Sequence, residues 1–330
     1  MKILTISIAA YNVEKFIENT LDSLVDTRIM DDIEVLIVND GSSDNTKQLA
    51  SSYENKYPNT FKLINKENGG YGSTINTSLK IATGKYYKLL DGDDWYDTEQ
   101  LVKLLEVLKE CTSDLVIIPN IEVVDETGEQ TKIKPFENVV EGEEFTYEKY
   151  PKGNRISMHQ ACFRTKAIQN KGIEIREHCF YTDTEYLLKS MSKCKTIIYY
   201  DIPVYMYRVG LNEQSMSVAG IRKHYKDAVK YYKEMIRYRK EENIDNDFEK
   251  QYLTDAMTSL ARYHLTMFLM LDSNRKKEYI EFEKYIKDNA MDIYMASNCA
   301  SLNILRKTKN IMYKPLCWRV NRKMKNAIRA

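Results

Sequence analysis

Apolar residues in the first 120 positions fall into short continuous runs separated by amphipathic stretches, the pattern of buried strands alternating with helices. "KILTISIA" (2–9), "IEVLIVND" (33–40), "FKLINK" (61–66), "KYYKLLD" (85–91) and "DLVIIPN" (114–120) read as strands. "VEKFIENTLDSLVD" (13–26) gathers Val13, Phe16, Ile17, Leu21 and Leu24 on one helical face. "SSDNTKQLASSYENKY" (42–57) can be capped by Ser43 or Asp44. "STINTSLKIAT" (73–83), ended by Gly84, and "TEQLVKLLEVLKEC" (98–111) complete the series of helices. Strand–helix–strand units close right-handed, so the pattern predicts a mostly parallel, Rossmann-like sheet with helices on both faces.

The alternation weakens between about 119 and 160 and returns with a helix at 182–193 and a strand at 195–200. Beyond 216 every segment has helical spacing: 221–242, 247–271, then two or more basic helices. The expected organisation is an α/β domain over 1–217 and an all-helical region over 218–330, with the boundary near Ser217. Tyr225, Tyr231 and Tyr232, at helical spacing, read as packing residues.

Composition adds limits. At 43% hydrophobic and 29% charged residues the chain is ordinary for a soluble globular protein. No stretch reaches the roughly 18 to 20 apolar residues needed to span a bilayer. The run "LTMFLMLD" (265–272) follows Arg262 and His264 and reads as a core helix. The start lacks a signal-peptide pattern. The six cysteines show neither CxxC pairing nor zinc spacing with the four histidines, so reduced structural thiols in a cytoplasmic protein are expected. Charge is uneven: Ile293–Ala330 holds nine basic residues and no acidic one, leaving 40 basic and 48 acidic in the first 292, a net of −8.

In open α/β sheets, ligands bind beyond the carboxyl ends of the strands. Those ends here are "AAYN" (9–12), "NDGSSD" (39–44), "ENGGYG" (67–72) and "DGDDWYD" (91–97), all expected along one sheet edge. The glycines allow backbone N–H groups to approach a phosphate. Taken alone, "GGYG" is a weak hint and "NDGSSDN" fits a helix-capping turn equally well. The last stretch packs four aspartates into seven positions, which repel one another unless a positive charge sits among them.

In this order and spacing, the chain from about Lys2 to Ser217 resembles the family 2 glycosyltransferases with the GT-A nucleotide-diphospho-sugar fold. The matching stretches are "ISIAAYNVEKFIENTLDSL", "IEVLIVNDGSSDNT", "NGGYGSTINTSLKIATGKYYKLLDGDDW", "YTDTEYLLKSM" and "YMYRVGLNEQSMS". The resemblance implies that Asp91, Gly92 and Asp93 are the Asp-x-Asp motif, holding Mg²⁺ or Mn²⁺ against the donor diphosphate. Asp93 would be the direct ligand and Asp91 nearer the ribose or the metal's waters; hard oxygen donors suit either ion. Asp94 and Asp97 suit helix-entry or supporting roles. The resemblance places Tyr11 against the base and Asp40 at a base-edge N–H, which favours uracil, with further donor contacts from Ala9, Gly69 and Asn76. Asp183 stands where the family has its catalytic base, although it could also cap the helix at 182; Glu185 is a weaker candidate, and Thr182 stands where Glu is usual. Trp95, His159 and His178 are acceptor-side candidates. Two departures bear on the donor: alanines at 9 and 10 where Pro is frequent, and Thr74 and Ile75 where an Arg often precedes Asn76. Lys66 or Arg208 could supply that missing cation.

The function implied is a metal-dependent, inverting glycosyltransferase using a UDP-sugar donor and a glycan, cell-wall polymer or lipid-linked acceptor. A haloacid-dehalogenase-like phosphatase is an alternative, but its Asp-x-Asp usually lies near the chain start. A non-catalytic nucleotide-sugar-binding protein is another, against which intact Asp93 and Asp183 argue. The tail, 302–330, mixes Leu, Ile, Met, Trp and Tyr with cations, which suits an anionic membrane surface reached from the cytoplasm; nothing else resembles a nucleic-acid-binding module. Pro315 is expected to split it into two helices, and Trp318 can sit at headgroup level. A helical face packed on the acidic domain is the competing reading.

Overall fold

A computed structural model describes residues 2–151, 153–210, 218–241 and 247–327. The chain forms two compact units, Met1–Leu211 and Asn212–Ala330. Ser217, where the sequence places the boundary, lies outside the described residues.

The first unit is built on an eight-stranded sheet. Its strands are β1 (Leu4–Ala10), β2 (Ile33–Asp40), β3 (Phe61–Lys66), β4 (Tyr86–Asp91), β6 (Leu115–Ile117), β9 (Glu144–Phe145), β10 (Ala161–Arg164) and β11 (Ile197–Tyr199). A four-stranded sheet holds β5 (Trp95–Tyr96), β7 (Asn120–Val124), β8 (Gln130–Ile133) and β12 (Tyr205–Val209). The large sheet runs β3-β2-β1-β4-β10-β6-β11-β9. Its first four strands are parallel, whereas β10 runs antiparallel to both neighbours. Helices α1 (Ile17–Asp22), α2 (Thr46–Lys56), α3 (Tyr71–Ile81), α4 (Thr98–Glu110), α5 (Thr165–Ile168) and α6 (Thr182–Met191) complete the unit.

Ile6, Ile8, Val35, Ile37 and Leu90 are fully buried between sheet and helices, each contributing on the order of 1.5–3 kcal/mol. Two local expectations change. Helix α1 is shorter than 13–26, spanning Ile17–Asp22, and the Val13 and Glu14 N–H groups ahead of it bond Thr46 Oγ1 and Asp44 Oδ2. The run 114–120 is two strands in different sheets, divided at Pro119, which has no N–H to give a ladder. Asp44 does serve the entry to α2, accepting the Thr46 N–H at 3.0 Å, while Asn45 holds the N-cap position.

The second unit is helical: α7 (Val218–Glu241), α8 (Asp247–Met267), α9 (Lys276–Asn289), α10 (Met291–Ala296), α11 (Ala300–Lys307) and α12 (Tyr313–Ala327). Tyr225, Tyr231 and Tyr232 are buried in it, as the spacing predicts, and Leu265, Met267, Phe268 and Leu269 are core. The basic tail does divide into two helices, but at 308–312 rather than at Pro315. Pro315 lies in the first turn of α12, where its missing N–H breaks no helical bond. Arg329 lies outside the described residues. Five of the six cysteines are buried and Cys299 is partly exposed.

Candidate active site at the carboxyl edge of the parallel strands

Parallel register aligns the four strand ends: Ala9 pairs with Asp91, Ala10 with Asn39, and Asp40 with Lys66. The four loops singled out in the sequence therefore leave from one edge. Asn12, in left-handed conformation, accepts the Ser43 N–H at 2.8 Å and gives its own N–H to Ser42 Oγ. That lacing leaves the Tyr11 side chain exposed beside the edge.

Asp40 is buried and organises the third loop. Its Oδ1 accepts from Lys66 Nζ (2.8 Å), Gly69 N (2.9 Å) and Ser73 Oγ (3.2 Å), and its Oδ2 from Gly70 N (2.8 Å). Lys66 is thus committed internally. Asn76 is committed as well, exchanging hydrogen bonds of 2.7 and 2.8 Å with the Ile175 backbone. The chain at 175–178 crosses close above α3: a Cβ on Gly72 would lie 2.1 Å from the Arg176 carbonyl oxygen. His178 there gives its N–H to the Gly69 carbonyl at 2.6 Å.

The acidic run begins at the last residue of β4. Gly92 fits under β1, where a Cβ would lie 2.9 Å from the Ala9 carbonyl oxygen. The buried Thr20 hydroxyl holds the turn through the Gly92 and Asp94 carbonyls at 3.0 and 2.6 Å. Asp91 Oδ1 accepts the Tyr71 hydroxyl at 2.7 Å, and Oδ2 lies 3.9 Å from His159 Nε2. Asp94 is buried, and both its oxygens are engaged, by the Tyr205 hydroxyl (2.7 Å) and the Arg208 N–H (2.7 Å). Asp97 caps α4 through the Gln100 N–H, the helix-entry role considered for it.

Strand β12 pairs with β5 and carries Tyr205, Tyr207 and Arg208 to the acids. The Arg208 guanidinium lies about 5 Å from both the Phe16 and Trp95 rings, bonds the Asp93 carbonyl through Nε, and pairs with Asp125. Trp95 is therefore a platform for Arg208. His159 stacks on Tyr207 and packs on Tyr205, and buried Lys88 reaches up to its carbonyl oxygen at 2.6 Å.

Burial, reinforced by Asp93, raises the Asp91 carboxyl to about 7. Burial also raises Asp93, and burial together with both neighbours raises Asp94 further. Burial and then Lys88 push His159 down to about 3, keeping the imidazole neutral. Ligand atoms of Asp91, Asp94 and His159 all lie within 4.8 Å of one another. Crowded carboxylates that resist ionising, beside a neutral imidazole, fit a divalent cation. The sequence placed Asp91 and Asp93 at the cation, whereas the group within that distance joins Asp91 to Asp94 and His159 and does not include Asp93. The structure adds His159 and makes Asp94 the carboxylate braced by the second sheet.

Asp183 stands in the first turn of α6, one residue inside the helix; Tyr181, left-handed, is at the N-cap position. It reaches solvent yet is ringed by protein that raises its carboxyl, and its charge in turn raises Asp91 and Tyr71. Glu185 points away, buried between Arg176 (3.1 Å) and Lys189 (2.7 Å). Sequence reading passed over Tyr71 and Tyr205. An aromatic directly after "NGG" was the available signal for the first; nothing local marked the second.

A parallel-edge site of this kind belongs to the GT-A nucleotide-sugar fold. The crystal structure of S. aureus TarS residues 1–349 in complex with UDP-GlcNAc matches with a TM-score of 0.70 at 20% identity, covering 98% of this chain and 92% of that one. The mannosyltransferase PcManGT from Pyrobaculum calidifontis, in complex with GDP-Man and Mn²⁺, matches with a TM-score of 0.52 at 15% identity, over 96% and 86% of the two chains. The profile of glycosyl transferase family 2 matches residues 5–171. EpsH of Bacillus subtilis is 31% identical over 221 residues, 62% of this chain, which spans 60% of that relative's length. The chain belongs to glycosyl transferase family 2.

Proposed function

We propose that the first unit transfers a sugar from a UDP-sugar to the hydroxyl of a glycan, cell-wall polymer or lipid-linked acceptor, with inversion and with a divalent cation. The supporting observation is the convergence of Asp91, Asp94 and His159 on one edge of the parallel strands, with Asp91 in the field of both Asp93 and Asp183. Asp183 takes the acceptor proton as its oxygen attacks the anomeric carbon, and the sugar–diphosphate bond breaks in the same displacement. A carboxyl raised by its surroundings is the stronger base for that step. Bound Mg²⁺ or Mn²⁺, held by Asp93 and Asp91 with His159 alongside, would supply positive charge to the departing diphosphate. Arg208, locked between Phe16 and Trp95, adds a fixed positive charge beside the acidic run.

On the donor side, Tyr11 stacks on the base and the Ala9 backbone lies against it. Asp40 shapes the loop at Gly69, and its Oδ2, with a single donor here, keeps capacity for a base N–H. TarS, of the same fold, is a UDP-GlcNAc complex, which supports a uridine donor. A haloacid-type phosphatase is disfavoured by the family match. No described helix is long and apolar enough to cross a membrane; a lipid-linked acceptor would be met at the inner face.

The test is a panel of nucleotide sugars screened for thermal stabilisation and turnover, with and without Mn²⁺. UDP-sugars should stabilise the protein in Mn²⁺ and not in chelator, and the product should carry the inverted anomeric configuration by NMR. Stabilisation by no nucleotide sugar, or a retained configuration, would overturn the proposal.

A further inference from the structure

Helix α12 is divided lengthwise. One half is docked within the helical unit: Tyr313, Leu316 and Cys317 are buried. The Tyr313 hydroxyl bonds the Phe268 carbonyl at 3.1 Å, and Asn321 bonds the Leu269 carbonyl and accepts from Arg222. At 100° per residue, these positions and the half-buried Val320 and Met324 fall on one side of the helix. The other half faces solvent and carries Lys314, Pro315, Trp318, Arg319, Arg322 and Lys323.

Among the described residues that outer face holds four cations and no carboxylate, with a tryptophan that is 64% exposed. The turn leading into the helix adds Ile311, 75% exposed, and Met312. The Arg322 guanidinium lies 5.2 Å from the Trp318 ring, so cation and indole already sit together. Docking within the protein does not explain this face, since the inner half of α12 carries those contacts. Solvation does not explain it either, because a face made for water has no use for exposed Trp, Ile and Met together. Exposed apolar groups ringed by one sign of charge match a surface that is oily below and anionic above.

We propose that the outer face of α12, with the 311–312 turn, is a docking surface for an anionic lipid bilayer. Trp318, Ile311 and Met312 enter the headgroup boundary, and Lys314, Arg319, Arg322 and Lys323 pair with lipid phosphates. Attachment of this kind holds whether or not the first unit transfers sugar.

The experiment is co-sedimentation of the full chain with vesicles of phosphatidylcholine alone or with phosphatidylglycerol added. Binding is expected only to the anionic vesicles, weakening as salt rises, with a blue shift in tryptophan emission that Trp318→Phe removes. Each lost cation should reduce partitioning about five-fold, so Arg319→Gln with Lys323→Gln should reduce it about 25-fold at low salt. All substituted side chains face solvent, so the melting temperature should not move. Equal sedimentation with neutral vesicles, a double variant that partitions like wild type, or a short DNA duplex that outcompetes the vesicles would each overturn the proposal. If the double variant misfolds, the salt dependence and the Trp318 signal of the wild type still decide it.

Discussion

Replacing Asp91 by Asn tests whether the acidic run is arranged for a cation at the expense of stability. Burial, with Asp93 next, raises the Asp91 carboxyl from 3.8 to about 7. About three pKa units correspond to about 4 kcal/mol between the protonated and ionised forms. The folded pKa lies above the unfolded one, so the folded state holds the proton more tightly. The stability this contributes is complete below about pH 4 and is lost as pH rises through 7. Asn carries no charge, and its carbonyl can still accept the Tyr71 hydroxyl, now bonded at 2.7 Å. Asp91→Asn should therefore stabilise the metal-free protein by up to about 4 kcal/mol at pH 8 and by less than half of that at pH 5. For a unit of this size, 1 kcal/mol shifts Tm by about 2–4 °C, so scanning calorimetry in chelator should register several degrees. Mn²⁺ should then raise the wild type's Tm by more than the variant's, because a bound cation stabilises only the form that holds it. A variant no more stable than wild type in chelator at pH 8, with the same slope against pH, would refute this account of the cluster.

Asp93→Asn should nearly abolish transfer without lowering Tm, and chelator should likewise abolish transfer by wild type; full activity in excess EDTA would remove the metal from the proposal. Asp183→Asn should lower turnover roughly 10² to 10⁴-fold with donor affinity unchanged, whereas loss of donor binding with turnover intact at saturation would make it a structural residue. Glu185→Gln leaves Arg176 and Lys189 with an uncharged partner in a buried site and should destabilise the first unit by about 3 kcal/mol, read as a denaturation midpoint shift. An unchanged midpoint would mean that those cations find other partners.

Much of the fold is local, and it is legible for that reason. Runs such as "IEVLIVND" and the spacing of Leu101, Leu104, Leu105 and Leu108 encode burial directly, since a strand or helix must turn its apolar period to the core. Parallel pairing then brings the strand-end loops to one edge, so Ala9, Asp40, Gly69 and Asp91 could be grouped from sequence. What the loop side chains do there was decided only by tertiary structure. Tyr205 meets Asp94 across 111 positions, and Lys88 meets the His159 carbonyl across 71. Contacts closed by such long loops leave no periodicity in either segment. Lys66 could equally have faced a phosphate, and Asn76 a donor; packing against Asp40 and Ile175 assigns them inward. The tail follows the same division. Its charge and its apolar content are plain in the sequence, but which half of α12 docks and which half faces water depends on the surface that Phe268 and Leu269 present to it.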